Sequence, residues 1–211
     1  MQVTHARKFL VHSILVMLIF LAVAPARAEE GPRAQIEASV NQILAILNNQ
    51  QLAQPAKAEE RRDRVMAVVR SRFDFREMSK LTLAQHWREL SPSEKDRFVD
   101  LFAELLKNTY IGRVESYDQK GVRVNFKGEE ISDGVAFVPT VVTANRTQTP
   151  IDYRLKKDDG KWLVYDVVIE GVSLIRNYRT QFNQVIEREK FAGLLQRIQE
   201  KIKSGPSPKQ S

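Results

Sequence analysis

The sequence predicts an α+β fold, with helices packed on one face of a curved, mostly antiparallel sheet of about four strands. Three observations lead there. Apolar residues recur every three or four positions from Pro32 to Tyr110 and again after Gly171. Between Val122 and Glu170 they instead alternate with polar ones, and no internal repeat or long linker divides the chain.

The elements follow in order. From Pro32, which suits a first helical turn, Ile36, Val40, Ile43, Leu44 and Leu47 form one stripe that ends at Asn48-Asn49. A densely charged helix is expected from Lys57 to Arg70, with Val65, Met66, Val68 and Val69 buried late in it. Asp74 with Glu77 three residues on reads as a capping box opening a short helix that carries Phe75, Met78 and Leu81. Ser91-Pro92-Ser93-Glu94 is a second box, and Phe98, Val99, Phe102, Leu105, Leu106 and Tyr110 lie on one face of the helix after it.

Val122, Val124 and Phe126 alternate with polar residues as a half-buried strand does. Val135 to Ala144 is apolar on both faces, and Pro139 within it marks an edge position or a bulge. Ile151, Tyr153 and Leu155 alternate up to a hairpin turn at Asp159-Gly160, from which Trp162 to Glu170 returns. Strict alternation along this last strand puts Trp162, Val164 and Val168 on one face and Leu163, Tyr165, Val167 and Ile169 on the other, so both faces are expected to be covered. After Gly171, Leu174, Ile175, Tyr178 and Phe182 share a helical face, and a further helical stretch holds Phe191, Leu194, Leu195, Ile198 and Ile202. From Ser204 the run SGPSPKQS has no apolar residue and is expected to be disordered.

Composition narrows the chemistry. The 211 residues include no cysteine, which excludes disulfides, thiolate metal sites and cysteine nucleophiles. Residues 1–28 read as an export signal: Arg7 and Lys8 precede an apolar run from Phe9 to Ala24, and Ala26-Arg27-Ala28 offers small residues at the cleavage positions. The run of about 16 residues falls short of the ~20 that span a bilayer. Three domain-level segments follow: the signal at 1–28, one α+β domain at 29–203 and the tail at 204–211. Cleavage leaves 30 basic and 26 acidic residues, +4 in all, too weak and dispersed for a nucleic-acid partner. A single histidine, His86, then remains, and no HExxH, GxSxG, SxxK or glycine-rich phosphate loop is present, so neither a metal nor a cofactor is expected. Asp166, a carboxylate amid apolar strand residues, is either a base of raised pKa or the partner of an Arg or Lys from a covering helix.

Tyr153-Arg154, the stretch Gly160 to Leu174, Asn177-Tyr178-Arg179 and Gln181-Phe182 closely resemble the MlaC (toluene-tolerance) family of periplasmic phospholipid-binding proteins. Phe73-Asp74-Phe75, Met78, Leu81, Trp87, Phe98, Phe102, Leu105 and Tyr110 extend the likeness over nearly all of the chain after the signal. One departure is Ala84, where such proteins often carry glycine before the tryptophan; alanine is expected to straighten the helix end. The resemblance implies a non-enzymatic periplasmic carrier whose cargo is a glycerophospholipid. It also implies two partners: an inner-membrane ABC transporter with an MCE-domain ring, and an outer-membrane lipoprotein working with a porin. The acyl tails are expected to enter between sheet and helices along the face of Val164 and Val168, because Leu163, Val167 and Ile169 suffice for an ordinary core layer on the other. Val124 and Tyr153 on neighbouring strands and Tyr178 on the closing helix join that wall, and Trp87, Phe102 and Tyr110 complete the candidate lipid-binding set. Two readings of other classes stay open: an isomerase or hydrolase using Asp166 as base, and a structural adaptor with a solid core.

N-terminal sequencing of the exported protein is expected to begin at Glu29; retention of residues 1–28 would overturn the leader assignment.

Overall fold

The computed structural model describes residues 30–116, 121–144 and 146–205, so the leader and the last six residues of the expected tail lie outside the described residues. Five helices and six strands follow in chain order: α1 Pro32–Leu47, α2 Ala58–Arg72, α3 Phe75–Leu83, α4 Pro92–Glu115, β1 Arg123–Phe126, β2 Glu130–Ser132, β3 Val135–Ala144, β4 Thr147–Asp158, β5 Lys161–Ile169, β6 Val172–Ser173 and α5 Leu174–Lys203. The sheet is antiparallel throughout, ordered β1-β3-β4-β5-β6, with β2 paired to the other end of β3. It has six strands rather than about four, because β2 and β6 are too short for a period-2 pattern to show. Pro139 sits between the two partners of β3: its carbonyl accepts from Lys127 N at 2.9 Å, and the break between β1 and β2 spares the missing N–H.

The helix starts follow their capping residues. At α4 the box is complete, with Glu94 N donating to Ser91 Oγ and Ser91 N to Glu94 Oε2. At α3 only half of it forms, since Glu77 N donates to Asp74 Oδ1 while Asp74 N donates to Val164 O across to the sheet, at 2.9 Å. The α2–α3 junction therefore docks on the open edge of β5. The two expected C-terminal stretches are one run, α5, broken at Lys190 (φ 61°), and Ser204 and Gly205, expected in the tail, close it through bonds to Glu200 O and Ile202 O.

Two apolar layers result. Phe98, Phe102, Tyr178 and Phe182 meet at ring distances of 5.3–5.8 Å and knit α4 to α5, with α3 packed beside them. Ile36 of α1 packs on the sheet against Ala136, Val138, Leu155, Trp162, Val164 and Val167.

The last strand departs from simple alternation. Val164 pairs with Leu155 but Asp166 pairs with Arg154, so Tyr165 is an extra residue, a β-bulge. Beyond it the faces exchange. Trp162 and Val164 share a face with Val167 and Ile169, while Asp166 and Val168 turn to the opposite side, which corrects the expected grouping of Val164 with Val168. Asp166, Val167 and Val168 are all buried, so this half of the strand is covered on both faces as expected.

Ala84 does not straighten the end of α3. It takes φ 51° and turns the chain into the 3-10 segment Ala84–Glu89, a backbone region that strains any side chain bearing a Cβ. Replacing Ala84 with Gly is expected to raise stability by about 1 kcal/mol, read as a melting temperature higher by a few degrees.

One buried carboxylate ties α2 to α4. Glu115 accepts from Arg61 Nη2 at 3.0 Å and from Arg62 Nε and Nη2 at 3.2 and 3.1 Å. Burial pushes its carboxyl pKa up, but the bonds from Arg62 and Arg61 outweigh this and leave it below the usual value. A lowered pKa means that the clamp contributes fully above about pH 4.5 and is lost as pH falls through the folded value. Glu115→Gln is expected to cost about 2 kcal/mol at pH 7, the residual solvent contact of Arg61 and Arg62 keeping it below the 3–5 kcal/mol of a deeply buried pair, with the difference from wild type shrinking in acid melts.

Candidate functional site

Helices α1, α2 and α4 do not close on the sheet. Between them lies a cavity of about 510 Å³, within the range of ligand sites. Its helical walls are Ile36, Val40 and Ile43 from α1, Val65, Met66 and Val69 from α2, and Leu106, Tyr110, Ile111 and Val114 from α4. The floor is Ile151 and Tyr153 of β4 with Val167 and Ile169 of β5, brought to one face by the bulge. Val40, Ile43, Val69, Ile151, Tyr153 and Ile169 are only half-buried, although each belongs to the apolar interior by position. They face a void instead of packed atoms.

Polar groups are few in this wall. Arg72 ends α2, and Lys107 and Arg113 come from α4, with Ser39, Ser116, Thr149 and Glu170 between them. Lys107 lies 3.5 Å from both Asp63 and Glu104, and the Arg113 guanidinium stands 5.9 Å from the Tyr110 ring centre. Burial pushes the Tyr110 hydroxyl up to about 12, so it is a neutral hydrogen-bonding group at any physiological pH. Among the described residues no three His, Asp or Glu side chains gather as a metal site would need. The arrangement suits an apolar ligand with a polar end.

The structure brings two of the eight candidate residues to this cavity, Tyr110 and Tyr153. Val124 is on the same sheet face, opposite Val142, but outside the wall. Val164 is on that face too, fully buried in the layer beneath α1. Val168 points the other way and pairs with Ser173. Phe102 and Tyr178 lie in the aromatic layer of α4 and α5, with Trp87 packed against it. Sequence reasoning named no wall residue from α1 or α2, whose helical stripes look the same whether they pack on atoms or border a void.

Asp166 faces away from the cavity and is fully engaged. It accepts from Ser173 Oγ at 2.7 Å, from Ile175 N at 3.1 Å and from Arg154 Nη1 at 3.2 Å. Its cation comes from the neighbouring strand rather than a covering helix, and its other two bonds pin the start of α5 to β5.

Comparison with known proteins agrees with this geometry. The chain is 24% identical over 180 residues to the toluene tolerance protein ttg2D of Pseudomonas putida, covering 82% of this chain and 81% of that one. It is 18% identical over 209 residues, 95% of each chain, to the intermembrane phospholipid transport system binding protein MlaC of Haemophilus influenzae. A phospholipid-binding protein from Ralstonia solanacearum, solved in complex with a phospholipid, superposes with a TM-score of 0.73 at 25% identity, over 83% of this chain and 98% of that one. The family model for the MlaC protein matches residues 37–200, well over half of the sequence and at least part of every element that walls the cavity, and the chain therefore belongs to the MlaC family.

Proposed function

We propose that this protein is a periplasmic phospholipid carrier and not an enzyme. It would take a glycerophospholipid into the cavity between its sheet and α1, α2 and α4, and shuttle it between the outer and inner membranes to maintain outer-membrane lipid asymmetry. The observation that carries the proposal is the apolar void walled by half-buried aliphatic side chains in a chain of this family. Magnitudes favour such a pocket over surface adhesion. Two acyl chains expose roughly 30 methylenes, which at ~0.8 kcal/mol each cost on the order of 24 kcal/mol in water. A basic residue beside an anionic membrane returns only about 1 kcal/mol, so a weakly basic surface cannot extract a lipid.

The remaining parts of the proposal rest on family membership and on the leader-like N-terminus. The domain at 29–203 works in the periplasm after cleavage at Ala28. It exchanges cargo with an inner-membrane ABC transporter bearing an MCE-domain ring and with an outer-membrane lipoprotein and porin complex. No resident cofactor takes part.

Lipid extracted from the purified protein and read by mass spectrometry is expected to contain glycerophospholipid in near-stoichiometric amount; a preparation made from cells with none bound, and none acquired from vesicles, would overturn the carrier reading. Val40→Glu, which sets a carboxylate into the wall at a half-buried position, is expected to abolish retained lipid while the melting temperature falls by only a few degrees. Collapse of the fold would instead place Val40 in a packed core.

A further inference from the structure

Arg72 is the wall residue whose position ordinary packing explains least. It ends α2 half-buried, in a part of the cavity wall where Ile36, Val40 and Phe73 are apolar and Ser39 is the neutral polar neighbour. Its Nε donates to Ser39 Oγ at 3.2 Å, and Nη1 donates to Gln35 Oε1 and toward Trp162 O at 3.5 Å. Gln35 and Ser39 stand one turn apart on α1, so two neutral acceptors hold the guanidinium plane in place. None of its partners is anionic. Among the described residues no carboxylate forms an ion pair with it, and Nη2 donates to no protein atom. That amino group is not sealed among packed atoms.

A guanidinium held rigid by neutral groups, with one amino group left over, is arranged to receive an oxyanion. Burial costs it, and pushes its pKa below the ordinary arginine value, with only the field of Glu30 opposing. Of the two cations contributed by α4, Lys107 already has Asp63 and Glu104 beside it and Arg113 stands over the Tyr110 ring. We propose that Arg72 is an anchoring and specificity-determining residue of the cavity, engaging through Nη2 the oxyanion of an amphiphile, either the phosphodiester of a phospholipid or the carboxylate of a fatty acid. The inference rests on the carrier reading and adds to it a chemical preference: anionic-oxygen lipids are held over neutral lipids with the same tails. The tails then run from Arg72 along α2 toward Val65 and Ile111.

The test uses the delipidated protein without its leader and three probes presented from vesicles: 1-palmitoyl-2-oleoyl phosphatidylglycerol, oleate, and the neutral diacylglycerol with the tails of the first. Wild type is expected to bind at least one of the two oxyanion lipids about tenfold or more above the diacylglycerol, the size of a charge-assisted hydrogen bond. In Arg72→Gln that preference, taken as the ratio to diacylglycerol binding by the same variant, is expected to fall to within about twofold, and Arg72→Lys should keep part of it. Loss confined to phosphatidylglycerol names the phosphodiester as the anchored group; loss confined to oleate names the carboxylate. Equal binding of all three probes by wild type, or an undiminished preference in Arg72→Gln, overturns the anchor and leaves the carrier reading standing. Binding of none of the probes removes both. If Arg72→Gln melts early, Arg72→Lys, which keeps the charge and loses the fork, is read instead: a preference reduced from that of wild type supports the anchor, and one undiminished overturns it.

Discussion

One extra residue in β5 governs the whole site. Without the bulge at Tyr165, Val164 and Val168 would share a face, and Val167 and Ile169 would point away from Tyr153 and Ile151. With it, the two apolar halves of β5 combine on the side facing α1 and α2. Asp166 is carried to the other side, where it binds the first turn of α5. A side-chain period of two makes any single insertion a reversal of faces, so this local irregularity has a global result. It supplies the cavity floor and the anchor for the long C-terminal helix together.

The two ends of the molecule then do different work. The aromatic layer joining α4 and α5 is filled ring against ring, and fully buried Phe98 and Phe102 give it the density of an ordinary core. Between α1, α2 and the sheet the packing stops short. Aliphatic side chains border empty volume there, forgoing the dispersion contacts that a filled core would provide. Rigid elements hold that void open: the Glu115 clamp between α2 and α4, the bond from Asp74 N to Val164 O, and the Gln35–Arg72–Trp162 seam. A lipid tail would restore the missing contacts, which gives the proposed cargo a physical place in the energetics of the fold.

Much of this was legible in the residues alone. The helices open where Pro32, Asp74 and Ser91 indicate, because caps and first-turn prolines act within a few residues of chain. The β3–β4–β5 meander follows from alternation and from Asp159-Gly160, and the family is readable from the long stretch around β5 and the start of α5. The candidate wall was only partly readable. Tyr110 and Tyr153 line the cavity, whereas Phe102, Tyr178 and Val164 are packed against neighbours instead.

By itself the sequence determined what is local: which segments are helix or strand, where they begin, which residues are apolar, and the family to which the pattern belongs. Only the tertiary structure decided which of those apolar residues meet atoms and which meet space. A bulge is a property of two paired strands, so β5 taken alone reads as regular alternation until β4 sets its register. A void is likewise an absence shared by several elements. Val40 beside the cavity and Leu47, buried against Val65 and Ile111, carry the same hydrophobic signal, and only the placement of the surrounding elements tells them apart.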